Sequence, residues 1–89
     1  MIMNIYLFDP NDWGMRYFVM AENKVQAHEY LLKHFERLID DPNEKYQKQS
    51  NKVDLKMWKK VNPLDANTFP QKYSLKEFEA GHVIESELA

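Results

Sequence analysis

Three histidines are the first residues in this sequence that could support acid–base or metal chemistry, because imidazole titrates near neutral pH and binds metals. His28 and His34 stand six residues apart, which on one helix separates them by about 240° around the axis. They cannot share a metal ion there, and His28 falls among the apolar positions of that helix. His82 follows Gly81 at a predicted turn. We expect a structural role for His28 and no metal site.

Acidic pairs are the second candidate, since two carboxylates can act together in hydrolysis. Asp9 and Asp12 flank Pro10, where bonds from aspartate to the local backbone explain them fully. Glu85 and Glu87 stand two residues apart, as expected for the solvent side of a strand. None of these pairs indicates a substrate cleft.

Several catalytic and cofactor motifs are absent from the sequence. It has two glycines, too few for a glycine-rich phosphate loop. It has no cysteine, which excludes a disulfide framework, a thiolate zinc site and a cysteine nucleophile. No nucleophile motif surrounds a serine or threonine near a partnered histidine. We therefore predict no catalytic residue, no cofactor and no metal, and a protein that is not an enzyme.

Lysines are concentrated in one segment of the chain. Between Glu44 and Lys60, six lysines stand against two acidic residues, a net charge of +4. Lysines can neutralise the phosphates of a nucleic acid while an aromatic ring stacks on a base. This segment has no arginine, the usual reader of base edges, so we expect any binding to be independent of base sequence. The alternative is a solubilising loop followed by an amphipathic turn that places Trp58 in the core. The candidate nucleic-acid contacts are Lys45, Lys48, Lys52, Lys56, Trp58, Lys59 and Lys60.

A tryptophan in a turn and an acidic C-terminal segment indicate contact with a protein. Trp13 lies between Asp12 and Gly14, where it either folds over the sheet edge or stands exposed as an anchor. From Glu77 onward the chain has four glutamates and no basic residue. The candidate protein contacts are Trp13, Glu85 and Glu87.

The elements that position these residues are clearest in the first half of the chain. Ile2 to Phe8 is β-branched and aromatic and is apolar on both sides, which predicts a strand. A turn rich in Asp, Pro, Asn and Gly connects it to a second strand, Met15 to Ala21, in a hairpin. Asn23 can cap a helix over Lys24 to Ile39, where apolar residues recur at helical spacing.

The middle of the chain is less regular. Residues 43–53 offer little to bury and are predicted to be a polar loop. Residues 54–61 fit either a short helix, capped by Asp54 and presenting Leu55, Trp58 and Val61, or a strand.

The last part of the chain reads as a second hairpin, with residues 72–79 and 82–88 on either side of Ala80 and Gly81. The segment Ser74 to Glu77 also matches a capping box, so one helical turn is the alternative there.

Length and composition favour a small globular domain. The chain has 89 residues, 44% hydrophobic and 29% charged, with a formal net charge of −2, which is ordinary for one domain. We predict a single α+β domain over residues 1–89, with an N-terminal β-hairpin, one main amphipathic helix over about 24–39, a C-terminal β-hairpin and a four-stranded, mainly antiparallel sheet. No stretch is long and apolar enough for a membrane span, so we expect a soluble, cytoplasmic protein. An apolar second sheet face would allow a homodimer.

The run from Met3 to Pro10, followed by Arg16 to Ala21 and a helix, resembles the opening of some small phage proteins, among them inhibitors of bacterial CRISPR complexes. The similarity covers roughly the first third of the chain. It implies a non-enzymatic protein that occupies the surface of a host protein, and it transfers no functional residue. Our leading hypothesis is a non-catalytic protein-binding module, a phage or mobile-element inhibitor of a host system. The alternative is a sequence-nonspecific nucleic-acid-binding module that uses Lys45 to Lys60.

Overall fold

A computed structural model of the chain describes residues 3–11, 14–43, 48–70 and 72–79. Within these residues the chain forms three β-strands, two α-helices and one short 3-10 helix. In chain order they are β1 (Asn4–Asp9), β2 (Tyr17–Ala21), α1 (Lys24–Asp40), α2 (Lys48–Lys59), the 3-10 helix (Ala66–Thr68) and β3 (Ser74–Phe78).

The strands form one antiparallel sheet in the order β2-β1-β3, with β1 in the centre. The central position suits β1 because its side chains are apolar on both sides, whereas an edge strand normally carries charge. Leu7 pairs with Phe18 on one side and with Lys76 on the other. This register places the three residues in one row across the sheet, on one face.

The predicted architecture was wrong in its number of strands and helices. The fold is α+β, but the described residues contain a three-stranded sheet and two α-helices rather than four strands and one main helix. Ser74–Phe78 is a strand, as the hairpin alternative predicted, because it pairs along β1. The other strand of that predicted hairpin, residues 82–88, lies outside the described residues.

The second helix, α2, replaces most of the predicted polar loop. It includes residues 48–53, and it also covers the part of 54–61 for which a helix was one alternative. The loop prediction was wrong because a polar residue, Asn51, fills one of the buried helix positions and hides the apolar periodicity. Lysine and glutamine are also good helix formers. Asp54 lies inside α2 and does not cap it.

The hairpin and first helix are as predicted, within a few residues at each end. Asn23 caps α1: its side-chain oxygen accepts a hydrogen bond of 2.8 Å from the backbone N–H of Gln26. Helix α1 buries Ala27, Leu31 and Phe35 at the i, i+4 spacing of one helix face. That face packs with the sheet side chains Tyr6, Phe8 and Ala21 in the core.

Trp58 of α2 lies at the centre of the core. Its ring is 1% exposed and meets four other aromatic rings edge-to-face, which is a favoured geometry for aromatic pairs. The centroid of Trp58 lies 4.9 Å from that of Tyr73 and 5.4 Å from that of Phe8. The two helices and the sheet therefore share one aromatic cluster.

His28 has the structural role that the sequence predicted. It is buried, and its Nε2 lies 2.8 Å from the backbone carbonyl oxygen of Trp58. A carbonyl can only accept, so Nε2 carries the proton and donates it. This buried hydrogen bond ties α1 to the end of α2.

Candidate functional site

The sheet has one face that the described helices do not cover. Side chains alternate between the faces of a strand, so Tyr6 and Phe8 point into the core and their neighbours point the other way. Leu7 is almost fully buried but lies outside the core cluster, because it sits at the centre of this second face. A second apolar face on a three-stranded sheet calls for an explanation, since ordinary antiparallel sheets turn polar residues to solvent.

The outward-facing residues of β2 make the β2 side of this face exposed and apolar, whereas Leu7 at its centre is buried. Phe18 pairs with Leu7 and Met20 pairs with Ile5, and their side chains are 51% and 62% exposed. Met3, next to the start of β1, is also exposed. We call this surface the open sheet face and define it as Ile5, Leu7, Asp9, Phe18, Met20 and Lys76.

One end of the open sheet face is polar and internally paired. Asp9 is buried, and one carboxylate oxygen accepts a 2.8 Å hydrogen bond from Lys76 Nζ. The other oxygen lies 3.3 Å from Arg16 Nε and accepts a 2.9 Å bond from the backbone N–H of Asn11. The hydrogen bond from Lys76 is the main reason that the pKa of Asp9 is lowered, followed by the Asn11 bond. Two cations therefore fix one carboxylate at this end.

Replacement of Asp9 by asparagine is expected to lower the free energy of unfolding at neutral pH by about 1–2 kcal/mol, because charged hydrogen bonds are lost while the two cations can be hydrated. The pKa of Asp9 is lowered in the folded state, so the unfolded chain takes up its proton first as the pH falls below about 4. The stabilisation is complete at neutral pH and is lost as the pH falls through the folded-state pKa.

The measurement is urea unfolding of the wild type and of Asp9→Asn between pH 7 and pH 2. Asp40→Asn is the matched control, since Asp40 is exposed at the end of α1 and its carboxylate has no described ion pair. The difference between wild type and Asp9→Asn should shrink toward low pH. A difference that stays constant with pH would contradict the role given to the Asp9 carboxylate.

The lysines of the second predicted site lie on one stripe of α2. At 100° per residue, Lys48, Lys52, Lys56 and Lys59 fall within an arc of about 80°. Lys52, Lys56 and Lys59 are exposed, and Lys48 is half-buried. Lys60 is exposed in the turn after the helix. We call the four helical residues the lysine stripe; among the described residues none of them forms an ion pair.

The stacking role considered for Trp58 does not fit its position. The indole lies in the core, as the structural alternative for this residue predicted, and an aromatic ring that is 1% exposed cannot stack on a base. The position of Trp58 in the lysine-rich segment reflects packing of α2 in the core.

Other predicted contacts fall in parts of the chain that the structure does not describe. They are Trp13, Lys45, Glu85 and Glu87, together with His82. The three candidates for protein contact are thus named from the sequence alone. Within residues 3–11, 14–43, 48–70 and 72–79, no group of three or more His, Asp or Glu residues is placed to hold a metal ion. In the same ranges no helix combines the length and the apolar character needed to cross a membrane.

Comparison with known proteins adds no functional assignment. No protein-family model matches the chain, and neither the curated proteins nor the solved structures contain a significant match. The surfaces of the chain are therefore the basis for the function proposed below.

Phe18 and Met20 were not predicted from the sequence as site residues. The signal was present in part, because the first strand is apolar on both sides and so requires cover on both. Which residues of β2 join that second face depends on the register, in which Phe18 lies opposite Leu7. The hydrophobic pattern of β2 alone does not supply that pairing.

Proposed function

We propose that this protein is a non-catalytic binding module that attaches to a partner protein through the open sheet face. The observation that carries the proposal is the pair Phe18 and Met20, half or more exposed beside the apolar centre of β1. Single exposed apolar residues are common on protein surfaces, but a contiguous group marks a contact surface. Burial of such side chains is the main source of affinity in protein interfaces.

The chemistry of the face defines the partner that it fits. Its accessible apolar part is formed by Phe18 and Met20 of β2. At one end Arg16 and Lys76 both form ion pairs with the single carboxylate of Asp9. A complementary partner surface is apolar with an acidic residue at its border, because opposite charges at the rim improve specificity and association rate. Among the described strands β2 has a neighbour on one side only, so the partner can also pair a strand along this edge.

The resemblance of the first third of the chain to small phage inhibitors supports the same mode of action. In those proteins the activity is occupation of a host surface, and it needs no catalytic residue. We therefore place the partner among the proteins of a bacterial host, with this chain acting in the cytoplasm as an inhibitor from a phage or mobile element.

The experiment is quantitative affinity capture from host lysate with three immobilised forms of the chain. These are the wild type, the variant Phe18→Ser/Met20→Ser, and the control Val53→Ser/Leu64→Ser. The control removes two apolar side chains that are 58% and 71% exposed elsewhere on the surface. We expect a protein that the wild type and the control capture equally and that the Phe18/Met20 variant loses.

Two outcomes would contradict the proposal. One is capture that is unaffected by the Phe18/Met20 variant, because the open sheet face would then not be the contact surface. The other is a wild-type chain that captures no protein and sediments as a dimer that the same variant dissociates. In that case a second copy of the chain covers the face.

A second candidate function uses the lysine stripe to bind nucleic acid. Three exposed lysines and one half-buried lysine lie within one arc of α2, and the helix has one acidic residue, Asp54, on its opposite side. A stripe of one charge sign can follow a phosphate backbone without reading bases. It lies on a different element from the open sheet face, so the two functions can be separated by mutation.

The test of this candidate compares two variants that remove the same charge. Lys52→Ala/Lys56→Ala/Lys59→Ala removes the stripe, and Lys24→Ala/Lys33→Ala/Lys72→Ala removes three lysines elsewhere. Binding to single-stranded oligonucleotides is measured across a salt series. Loss of three phosphate contacts is expected to reduce the slope of log K against log salt by about 2. Equal slopes for the two variants would eliminate the lysine stripe as a nucleic-acid site.

A further inference from the structure

A cavity of about 340 Å³ lies where the start of β2 meets both helices. It is on the helix side of the sheet, opposite the open sheet face. Its apolar wall includes Tyr17, Phe35 and Leu38, and the ring centroids of Tyr17 and Phe35 lie 5.5 Å apart. The volume is at the lower end of the range of small-molecule sites, about 300–1,000 Å³.

A buried amide on the cavity wall lacks a hydrogen-bond partner. Asn51 of α2 is 6% exposed, and its Nδ2 is sealed from solvent without a partner among the described residues. Buried polar groups are nearly always paired, so an unpaired amide points to a group that binds there. In the structure Nδ2 is turned away from the cavity, since it has almost no solvent-accessible surface. Rotation of the amide about χ2 brings the nitrogen to the cavity wall.

A carboxylate lies one helical turn further along the same wall. Asp54 is three residues after Asn51, on the neighbouring position of the helix face, and both residues line the cavity. Burial raises the pKa of Asp54 above its ordinary value. Burial, and then Tyr73 and Asp54, raise the pKa of Tyr17 to about 12, so its hydroxyl stays protonated.

The charges around the cavity exclude one class of ligand. Neither lysine nor arginine is among the described residues that line it. Its titratable groups include the carboxylate of Asp54 and the imidazole of His34, whose ring packs edge-to-face with Tyr17. An anion would be placed beside a carboxylate with no fixed cation to compensate. The ligand that fits is uncharged, offers a hydrogen-bond donor to Asp54 and an acceptor to Asn51, and is flat enough to pack on the aromatic wall.

We propose that this cavity binds a neutral planar ligand whose edge presents a hydrogen-bond acceptor beside a donor. Primary carboxamides and the edges of nucleobases share this chemistry. Asn51 Nδ2 donates to the acceptor of the ligand, and the carboxylate of Asp54 accepts from its N–H. The ring of the ligand packs against Tyr17 and Phe35. This site is independent of the open sheet face, so each can be disproved without the other.

The experiment follows the side-chain amide signals of the ¹⁵N-labelled full-length chain during titration with small probes. Benzamide tests the carboxamide edge and adenosine tests the nucleobase edge. Benzoate has the ring of benzamide but is anionic and has no donor. We expect saturable shifts of the Asn51 amide pair with benzamide or adenosine, and at least tenfold weaker binding of benzoate. The probe that binds more tightly shows whether the ligand presents a carboxamide or a nucleobase edge.

Variants connect the signal to the proposed contacts. Binding to the variants is followed by the backbone amide signals of Tyr17 and Phe35, which line the cavity. Asn51→Leu and Asp54→Asn are each expected to weaken binding of the probe at least tenfold, while Gln49→Leu, on an exposed position of α2, leaves binding unchanged. Asn51→Leu removes an unpaired buried amide, so its unfolding midpoint should also rise by about 4 °C or more. The proposal is overturned if neither probe shifts Asn51, if benzoate binds as well, or if both variants bind like the wild type.

Discussion

Replacement of Trp58 by alanine is expected to lower the free energy of unfolding by about 3–5 kcal/mol, the usual cost of truncating a large buried aromatic residue. The indole is 1% exposed and meets four aromatic rings, those of Phe8, Tyr17, Phe69 and Tyr73. Small domains have a total stability of roughly 5–15 kcal/mol. The substitution therefore removes a large fraction of it, because the Trp58 ring joins β1, β2 and the segment before β3.

The measurement is urea unfolding followed by far-UV circular dichroism. Trp58→Phe is the conservative control: it keeps an aromatic ring at the centre of the cluster and is expected to cost less than about 2 kcal/mol. A loss below about 1 kcal/mol for Trp58→Ala would mean that the ring is not a core residue. It would then be available to stack on a base, and the nucleic-acid hypothesis would regain its aromatic contact.

The Phe18→Ser/Met20→Ser variant is expected to weaken binding of the captured partner by about 10- to 150-fold. Complete burial of a large apolar side chain contributes about 1.5–3 kcal/mol. Phe18 and Met20 are 51% and 62% exposed in the chain alone. A partner that covers each of them therefore gains about half of the free energy of complete burial per side chain. Together the two side chains then contribute about 1.5–3 kcal/mol to binding, and each 1.4 kcal/mol changes Kd tenfold.

The stability of the same variant separates a binding defect from a folding defect. Exposed side chains contribute little to folding, so its free energy of unfolding should stay within about 0.5 kcal/mol of the wild type. Isothermal titration of the purified partner gives the Kd of each form, and the Val53→Ser/Leu64→Ser chain should bind like the wild type. Weaker binding accompanied by an equal loss of stability would show that Phe18 and Met20 support the fold and do not form the contact.

The elements predicted well are those whose signals are local. The helix over Lys24 to Asp40 is capped by Asn23, whose side-chain oxygen accepts a hydrogen bond from the backbone N–H of Gln26. It also has an apolar residue on one face at each turn. The first hairpin has a dense turn between two apolar runs. In both cases the residues that decide the structure lie within a few positions of one another, so a single sequence is enough.

Helix α2 was missed because its buried stripe includes a polar residue. The buried positions of this helix are Asn51 and Trp58, with polar residues at three of the six positions between them. A pattern search for apolar residues finds only the second half of such a helix. Asn51 contributes nothing to the apolar pattern, and an unpaired buried amide is the kind of local inconsistency that occurs at functional sites.

The candidate site was predicted only in part because it depends on pairing between distant segments. The apolar character of both sides of β1 indicated a second face that needs cover. Phe18 and Lys76 join that face because each pairs with Leu7. Phe18 lies 11 positions from Leu7 in the chain, and Lys76 lies 69 positions from it. No local pattern supplies such registers. The sequence instead drew attention to Trp13 and the acidic segment, which the structure does not describe.

The central claim is that a partner protein covers the open sheet face, and site-specific photo-crosslinking tests it most directly. A photoreactive amino acid is placed at position 18 or 20 and, for comparison, at the exposed positions 53 or 64. We predict a covalent adduct with one host protein from positions 18 and 20 and none from positions 53 and 64. Adducts from 53 or 64 alone, or adducts from 18 and 20 that contain only a second copy of the chain, would contradict the claim.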